Sequence, residues 1–207
     1  MYYFGRTVVW IVFHIIYRIR FEGRENIPKG AVIYASNHRT NADPPLVSIG
    51  SKGMLTFMAK EELFKNKFFG ALIRSLGAFP VSRGSGDMEV IDTAVENLKN
   101  GKSLAIFPEG TRSKDGKVGK GHSGAALIAA RTGCPVVPVG ICFGEELKFG
   151  TKITVKYGKP IDPAEYVEIC DEPKTRNLVK LKKRYMADIK SLVEGEADGQ
   201  TEENSDD

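Results

Sequence analysis

The stretch AVIYASNHRTNADPP, residues 31–45, changes character at its middle. Its first six residues form an apolar run of the kind found in buried strands, and a cluster of turn-forming residues follows. The residue before each of the two prolines is biased away from helical backbone angles. The stretch therefore predicts a buried strand that ends in a chain reversal, with His38 and Asp43 on the loop.

Five further runs have the same apolar, β-forming composition: MLTFMA (54–59), AFPV (78–81), SLAIF (103–107), PVVPVGI (135–141) and KITVKY (152–157). Helical spacing of apolar residues occurs in GDMEVIDTAVENLKNG (86–101), in HSGAALIAARTG (122–133) and from about residue 173 to 193. No linker divides the chain. The alternation predicts one α/β domain over residues 23–193, with a mixed, largely parallel central sheet flanked by helices.

The charge of the chain is unevenly distributed. The formal net charge is +4, but residues 194–207 carry seven acids and no base, so the rest of the chain carries +11. We expect this acidic tail to be disordered and the folded part to prefer an anionic partner. The basic residues are scattered and form no nucleic-acid motif, which favours a membrane surface or a phosphorylated substrate over nucleic acid.

The three cysteines are too irregularly spaced for a disulfide framework or a zinc site, which is typical of a reducing compartment.

Residues 1–22 are predicted to form an amphipathic membrane-anchor helix. At helical spacing, Phe4, Val8, Ile11, Val12, Ile15 and Ile19 share one face, and Arg6, His14, Tyr17 and Arg18 lie opposite. The uninterrupted apolar part is about half of the ~20 residues that a spanning helix needs. No small-residue cleavage site follows, so we expect the segment to be retained at a membrane interface. The alternative is a helix that packs on the core.

His38 and Asp43 are candidates for an acid–base pair. Five positions on a helix would separate them by about 140°, whereas a loop can bring them together. The carboxylate would then accept the Nδ1 proton of the imidazole and leave Nε2 free as a base. The alternative is a pair of ordinary loop residues that hydrogen-bond locally.

Two further loops follow predicted strands. FPEGTRS (107–113) supplies Glu109, Gly110 and Arg112, where the arginine suits a phosphate and the glutamate a hydroxyl or the arginine itself. LGAFPVSRGSGDM (76–88) supplies Arg83 before a glycine-rich turn. Salt-bridged or solvated surface residues are the alternative in each case.

Taken together, NHRTNAD (37–43), GAFPVSR (77–83), FPEGTRS (107–113) and PVVPVGI (135–141) resemble the glycerolipid acyltransferase family in content, order and spacing. The similarity extends from about residue 27 to 159 and includes AKEELF (59–64). It implies that His38 and Asp43 are catalytic and that the acceptor is bound by Lys60, Arg83, Glu109, Gly110, Thr111 and Arg112. Arg39 and Thr40 stand where many relatives have glutamine and serine, which leaves the choice of acceptor open.

The reaction implied by this resemblance is acyl transfer from acyl-CoA or acyl carrier protein to the free sn-2 hydroxyl of 1-acylglycerol-3-phosphate (lysophosphatidic acid), giving phosphatidic acid. We expect it to occur at the cytoplasmic face of the cell membrane, without a metal or another cofactor. Three alternatives remain: a different acceptor such as glycerol-3-phosphate or another lysophospholipid, a thioesterase, and a noncatalytic lipid-binding module.

Overall fold

The structure, a computed structural model, describes residues 2–81 and 87–195. Arg83 and residues 196–207 of the expected acidic tail lie outside the described residues. The helices are α1 (Tyr2–Ile16), α2 (Asp43–Gly50), α3 (Lys67–Ser75), α4 (Asp87–Lys99), α5 (Gly124–Thr132) and α6 (Thr175–Glu194). The strands are β1 (Arg18–Glu22), β2 (Ile33–Ser36), β3 (Leu55–Lys60), β4 (Ala78–Val81), β5 (Ser103–Ile106), β6 (Val136–Cys142) and β7 (Lys152–Tyr157). Short 3-10 helices span Arg24–Asn26, Glu61–Phe64 and Pro163–Glu165.

The strands of the described residues form one sheet in the order β1-β7-β6-β2-β5-β3-β4. All neighbouring strands are parallel except β6 and β7. The prediction of a mixed, largely parallel sheet is therefore confirmed, and all six predicted strands are present. The strands β2 to β6 end at one edge of the sheet, which we call the carboxyl edge. Ligands bind at this edge in open α/β sheets.

Helices cover both faces of the sheet. Alternate residues of β2 show this: Tyr34 packs in the apolar cluster that includes residues of α1, α2 and α3, whereas Ile33 packs in the cluster that includes residues of α4, α5 and α6. Both residues are fully buried. Burial on both faces explains why the central strands are continuous apolar runs rather than alternating ones.

The N-terminal helix is shorter than predicted. It ends at Ile16, and residues 18–22 form β1 at the edge of the sheet instead of a further helical turn. The sequence RIRFE alternates charged and apolar side chains, which suits an edge strand with one partly buried face. Its partner β7 follows more than 130 positions later, since Arg18 pairs with Lys152. Ile19, which was assigned to the apolar face of the helix, lies in this strand.

Two helices were not predicted, α2 and α3. The expected loop from residue 37 to 45 is cut short because Asp43 begins α2 and the two prolines occupy its first turn. The first N–H groups of a helix have no partner within it, so proline costs little there. The preference of a pre-proline residue for extended angles is overridden at Asp43 and Pro44.

The helix α1 lies on the α2 and α3 side of the sheet and packs with only part of its surface. Tyr2 and Gly5 are buried, and Arg6 donates hydrogen bonds to the carbonyl oxygens of Ile49, Ser51 and Gly53. The predicted apolar face is exposed in Phe4, Val8, Ile11, Val12 and Ile15. No helix in residues 2–81 or 87–195 is both long enough and apolar enough to cross a membrane.

Candidate active site at the carboxyl edge

The structure brings His38 and Asp43 into direct contact. His38 lies on the loop after β2, Asp43 is the first residue of α2, and Nδ1 of the imidazole is 2.7 Å from Oδ2 of the carboxylate. A carboxylate oxygen accepts hydrogen bonds, so Nδ1 carries the proton in this contact. Nε2 then has its lone pair available, and within residues 2–81 and 87–195 it has no hydrogen-bond partner.

Asp43 is fully buried and its position is fixed by several donors. Besides the imidazole, Oδ2 accepts the backbone N–H groups of Arg39 at 2.6 Å and Thr40 at 2.7 Å. Oδ1 accepts the hydroxyl of Thr40 at 2.9 Å. The loop is therefore wrapped around the carboxylate, and the same carboxylate that contacts His38 also sets the path of residues 39 and 40.

The loop after β5 holds both the ring and the backbone of His38. Its ring stacks on the ring of Phe107, with centroids 4.2 Å apart and planes inclined by 25°. Its backbone N–H donates to Oε1 of Glu109 at 3.0 Å, and its carbonyl oxygen accepts the N–H of Ser113 at 2.7 Å. The side chain is 19% exposed, so the ring is oriented by the protein and still accessible from outside.

Glu109 has a different set of partners from those expected. It is nearly buried, and its second oxygen, Oε2, accepts the N–H of Gly119 at 2.9 Å. Of the two alternatives expected for Glu109, a hydroxyl or Arg112, the pairing with Arg112 is wrong, because Arg112 donates to Oδ1 of Asn41 at 3.2 Å. The carboxylate of Glu109 thus ties two stretches of backbone together, the His38 loop and residue 119.

Gly110, Thr111 and Arg112 form an exposed turn beside the His38 loop. Gly110 has φ of 70°, a left-handed conformation that a side chain disfavours, and a Cβ there would lie 3.3 Å from the ring of His122. Farther along this loop, the Ser113 hydroxyl and then the Lys117 N–H lower the pKa of Asp115. The loop therefore presents backbone and Arg112 to solvent at the carboxyl edge.

Lys60 is the last residue of β3 and is exposed at the same edge. It is farther from His38 than the Arg112 loop, because β5 lies between β2 and β3. Arg83, outside the described residues, follows β4, the next strand along the sheet. The described site residues thus share one edge, with His38, Asp43 and the Arg112 loop adjacent and Lys60 to one side.

Three residues that support the site were not assigned a role from the sequence. Asn37 donates to the carbonyl oxygen of Ile141 at 3.0 Å and accepts its N–H at 2.8 Å, which joins the end of β2 to β6. The guanidinium of Arg39 donates to the carbonyl oxygens of Phe143 and Gly144, and its Cζ lies 3.9 Å from the centroid of the Phe143 ring. These partners are more than 100 positions away, and no local pattern predicts them.

Thr40 is the third such residue, and a signal for it was present. Thr40 and Asp43 have the T-x-x-D spacing of a capping box before an apolar run, which marks a helix start. The structure contains one of the two capping-box contacts, since the Asp43 carboxylate accepts the Thr40 backbone N–H, but the N-cap of α2 is Ala42 and not Thr40. That spacing predicts a helix start in this loop with Thr40 as the N-cap, whereas α2 begins at Asp43.

The part of the chain that the structure describes contains no group of three or more His, Cys, Asp or Glu side chains arranged to hold a metal ion. His122 lies against Gly110 and the cysteines at positions 134, 142 and 170 are not disulfide-bonded.

The chain is similar to known acyltransferases in sequence and in structure. The chain is 29% identical over 174 residues to the 1-acyl-sn-glycerol-3-phosphate acyltransferase of Bacillus subtilis, which covers 82% of this chain and 86% of the relative. It is 32% identical to a chloroplastic 1-acyl-sn-glycerol-3-phosphate acyltransferase of Arabidopsis thaliana over 77% of this chain, and it spans only 48% of that relative's length. The crystal structure of the 1-acyl-sn-glycerophosphate acyltransferase PlsC from Thermotoga maritima superposes with a TM-score of 0.74 at 29% identity, over 93% of this chain and 78% of that one.

The sequence model of the family described as Acyltransferase matches residues 18–142, which include the loops that carry His38, Asp43 and Arg112. The match covers more than half of the chain, and the chain belongs to the acyltransferase family.

Proposed function

We propose that the chain transfers an acyl group from an acyl thioester to the free sn-2 hydroxyl of 1-acylglycerol-3-phosphate, giving phosphatidic acid. The names of the relatives support the acceptor. The observation that carries the chemistry is the 2.7 Å contact between Nδ1 of His38 and Oδ2 of Asp43, which leaves Nε2 without a hydrogen-bond partner among the described residues. This is the arrangement that a general base for a hydroxyl requires.

In the proposed reaction, Nε2 of His38 takes the hydroxyl proton while the hydroxyl oxygen attacks the thioester carbonyl carbon. The C–S bond then breaks, and the thiolate leaves and recovers a proton from the imidazolium or from water. The Asp43 carboxylate stabilises the imidazolium and keeps the ring in the required tautomer. The acyl group passes directly to the acceptor, so one base and correct positioning carry the step and no acyl-enzyme forms.

We assign the phosphate of the acceptor to the basic groups of the same edge. Arg112 is exposed and donates to Asn41 on the His38 loop, which supports this assignment. Gly110 and Thr111 allow close approach of the backbone, and Lys60 adds positive charge at the end of β3. Arg83, which the family resemblance assigns to the acceptor, lies outside the described residues. Glu109, which the family resemblance assigned to the acceptor, has both oxygens engaged by backbone N–H groups, so we assign it to positioning His38.

We further propose that the protein works at the cytoplasmic face of the cell membrane, held by the exposed apolar face of α1 (Phe4, Val8, Ile11, Val12 and Ile15). Both the acceptor and the product are lipids, and a surface-bound enzyme meets them without extracting them from the bilayer. An in-plane helix with an exposed apolar face fits this role. Its one arginine, Arg6, holds the helix to the domain, because it donates to the carbonyl oxygens of Ile49, Ser51 and Gly53. The acyl donor is carried by coenzyme A or by acyl carrier protein.

The test is an acyl-transfer assay on lipid vesicles with labelled acyl-CoA or labelled acyl carrier protein as donor. Lysophosphatidic acid, glycerol-3-phosphate and lysophosphatidylcholine are offered in parallel, and His38→Ala is assayed beside the parent chain after circular dichroism has shown that it folds. We expect labelled phosphatidic acid from lysophosphatidic acid alone, and its loss in His38→Ala.

Other products would contradict the proposed function and indicate a different one. Label on another acceptor would change the substrate and keep the mechanism. Label only in free fatty acid would indicate a thioesterase. Absence of any product, with vesicle binding weakened by Arg112→Ala, would indicate a noncatalytic binding module.

A further inference from the structure

The helix α3 exposes an apolar surface that the catalytic proposal does not use. Of its nine residues only Gly70 and Ile73 are buried. Phe68 is 93% exposed, Phe69 and Leu72 are about half exposed, and Leu63 in the preceding 3-10 helix is exposed as well. We call Leu63, Phe68, Phe69 and Leu72 the α3 patch. Single exposed apolar side chains are normal in proteins, but a cluster marks a contact surface.

The α3 patch is next to the membrane-anchor helix. The backbone of Gly5 in α1 packs so closely on the end of α3 that a Cβ at this position would lie 3.3 Å from the side chains of both Ser75 and Leu76. The two helices lie on the same side of the sheet. The exposed apolar surfaces of α1 and α3 therefore belong to neighbouring elements rather than to opposite sides of the protein.

The charges on α3 identify the kind of partner. At about 100° per residue, Phe68, Leu72 and Phe69 fall within an arc of about 100°, and Lys67 and Arg74 lie on the other flank of the helix. Lys65 and Lys67 are exposed, and the guanidinium of Arg74 lies 4.6 Å from the centroid of the Phe64 ring. Aromatic and aliphatic side chains flanked by cations match the headgroup region of an anionic bilayer, where the rings enter the interface and the cations meet lipid phosphates.

We propose that the α3 patch is a second membrane contact, which inserts beside α1 at the headgroup boundary of an anionic bilayer. This inference rests on the proposed anchoring by α1 and extends it. A single in-plane helix leaves the domain free to rotate about the helix axis, whereas a second contact on a neighbouring element restricts this rotation. Because α3 joins β3 to β4, this second contact also sets how the carboxyl edge, with Lys60 and His38, faces the lipid.

The test uses two forms of the full chain, each with a single tryptophan, and needs no substrate. The protein has one tryptophan, Trp10 in α1, which reports the insertion of α1 by the shift of its emission. In the second form, Trp10→Phe is combined with Phe68→Trp, so the fluorescence reports α3 alone. Both are titrated with vesicles of equal parts phosphatidylglycerol and phosphatidylcholine, with and without bromine on the phosphatidylcholine acyl chains.

We expect both tryptophans to shift to shorter wavelength and to be quenched by brominated lipid. Phe68→Glu should weaken vesicle binding by roughly tenfold or more in sedimentation, because a ring is lost from the apolar interface and a charge repelled by anionic lipid is added. The matched control is Ile169→Glu, since Ile169 is also exposed and contacts Gly133 on the α4–α6 side of the sheet. It should bind like the parent chain.

The outcomes separate this inference from the function on which it rests. If the Trp10 form inserts and the residue 68 tryptophan stays unquenched, α1 anchors alone and the α3 patch is not a membrane contact. If neither inserts, both proposals of membrane binding are overturned. If Phe68→Glu turns a dimer into a monomer in solution and leaves vesicle binding intact, the patch is an interface between two copies of the chain.

Discussion

Asp43→Asn separates the structural part of Asp43 from its proposed catalytic part. The amide oxygen of asparagine can replace Oδ2 and still accept His38 and the two backbone N–H groups of residues 39 and 40. The amide nitrogen would face the Thr40 hydroxyl, which has a lone pair to accept it. The hydrogen bonds at position 43 can therefore keep their geometry, whereas the negative charge of the carboxylate is lost. A hydrogen bond to a charged group is stronger than a neutral one by about 1 kcal/mol, so three weakened bonds lower the free energy of unfolding by about 3 kcal/mol.

The catalytic effect should be larger than this stability effect. If the carboxylate stabilises the imidazolium of His38, its loss should lower kcat, counted per folded molecule, by about 100- to 10,000-fold. The measurement combines a urea titration, which gives the folded fraction, with initial rates of phosphatidic acid formation at saturating lysophosphatidic acid.

Thr40→Val is the matched control. It removes the hydroxyl that donates to Oδ1 of Asp43 and accepts the N–H of Ala42, and it leaves the contact with His38 in place. We expect a loss of about 2 kcal/mol in the free energy of unfolding and less than about a fivefold change in kcat. If Asp43→Asn and Thr40→Val have the same kcat per folded molecule, Asp43 is a structural residue only, and the proposed base loses its charged partner.

Three further predictions concern the framework of the site. Gly50→Ala should lower the free energy of unfolding, measured by thermal denaturation, by about 1–3 kcal/mol, because the new Cβ would collide with the Tyr157 hydroxyl and lie 2.6 Å from a ring carbon of Phe21. Asn37→Ala should lower the free energy of unfolding, measured by urea titration, by about 2–4 kcal/mol, because it leaves the buried N–H and carbonyl of Ile141 unpaired. Burial raises the pKa of the Tyr34 hydroxyl from 10.0 to about 12. The stability that Tyr34 contributes is therefore complete below pH 10 and is lost as the pH rises towards 12. Tyr34→Phe should make the decline of the free energy of unfolding over this range shallower.

Each framework prediction has an outcome that would contradict it. Gly144→Ala is the control for Gly50→Ala, since nothing lies within 4 Å of a Cβ there, and equal melting temperatures for the two variants would contradict the predicted collision. For Asn37→Ala, an unchanged urea midpoint would show that water replaces the lost contacts. For Tyr34→Phe, a decline with pH identical to that of the parent chain would assign the alkaline transition to other groups.

Much of the central sheet was predictable, because strands buried on both faces are recognisable as short apolar runs. The six runs from residue 31 to 157 all became strands, and α4, α5 and α6 followed their helical spacing. The elements that were missed lack such a local signature. The strand β1 is stabilised by β7, which follows far along the chain, and α2 begins with two prolines that a local rule assigns to a turn.

For the site, the sequence singled out His38 and Asp43 and the loops that carry Glu109 and Arg112, since these residue types stand after predicted strands and match the motifs of a family. It also located the apolar face of α1, because helical periodicity is a local property. These features are determined by neighbouring residues in the chain.

The tertiary structure decided which groups meet. Glu109 supports the backbone of His38 instead of pairing with Arg112, and Arg39 binds carbonyl oxygens at residues 143 and 144. Likewise, the exposure of Phe68 beside α1 depends on how α3 packs, and a nine-residue helix with this composition could equally have been buried. The hydrogen bonds of Glu109 and Arg39 join segments 71 to 105 residues apart, and they depend on how the sheet orders its strands. Periodicity along the chain carries no information about that order.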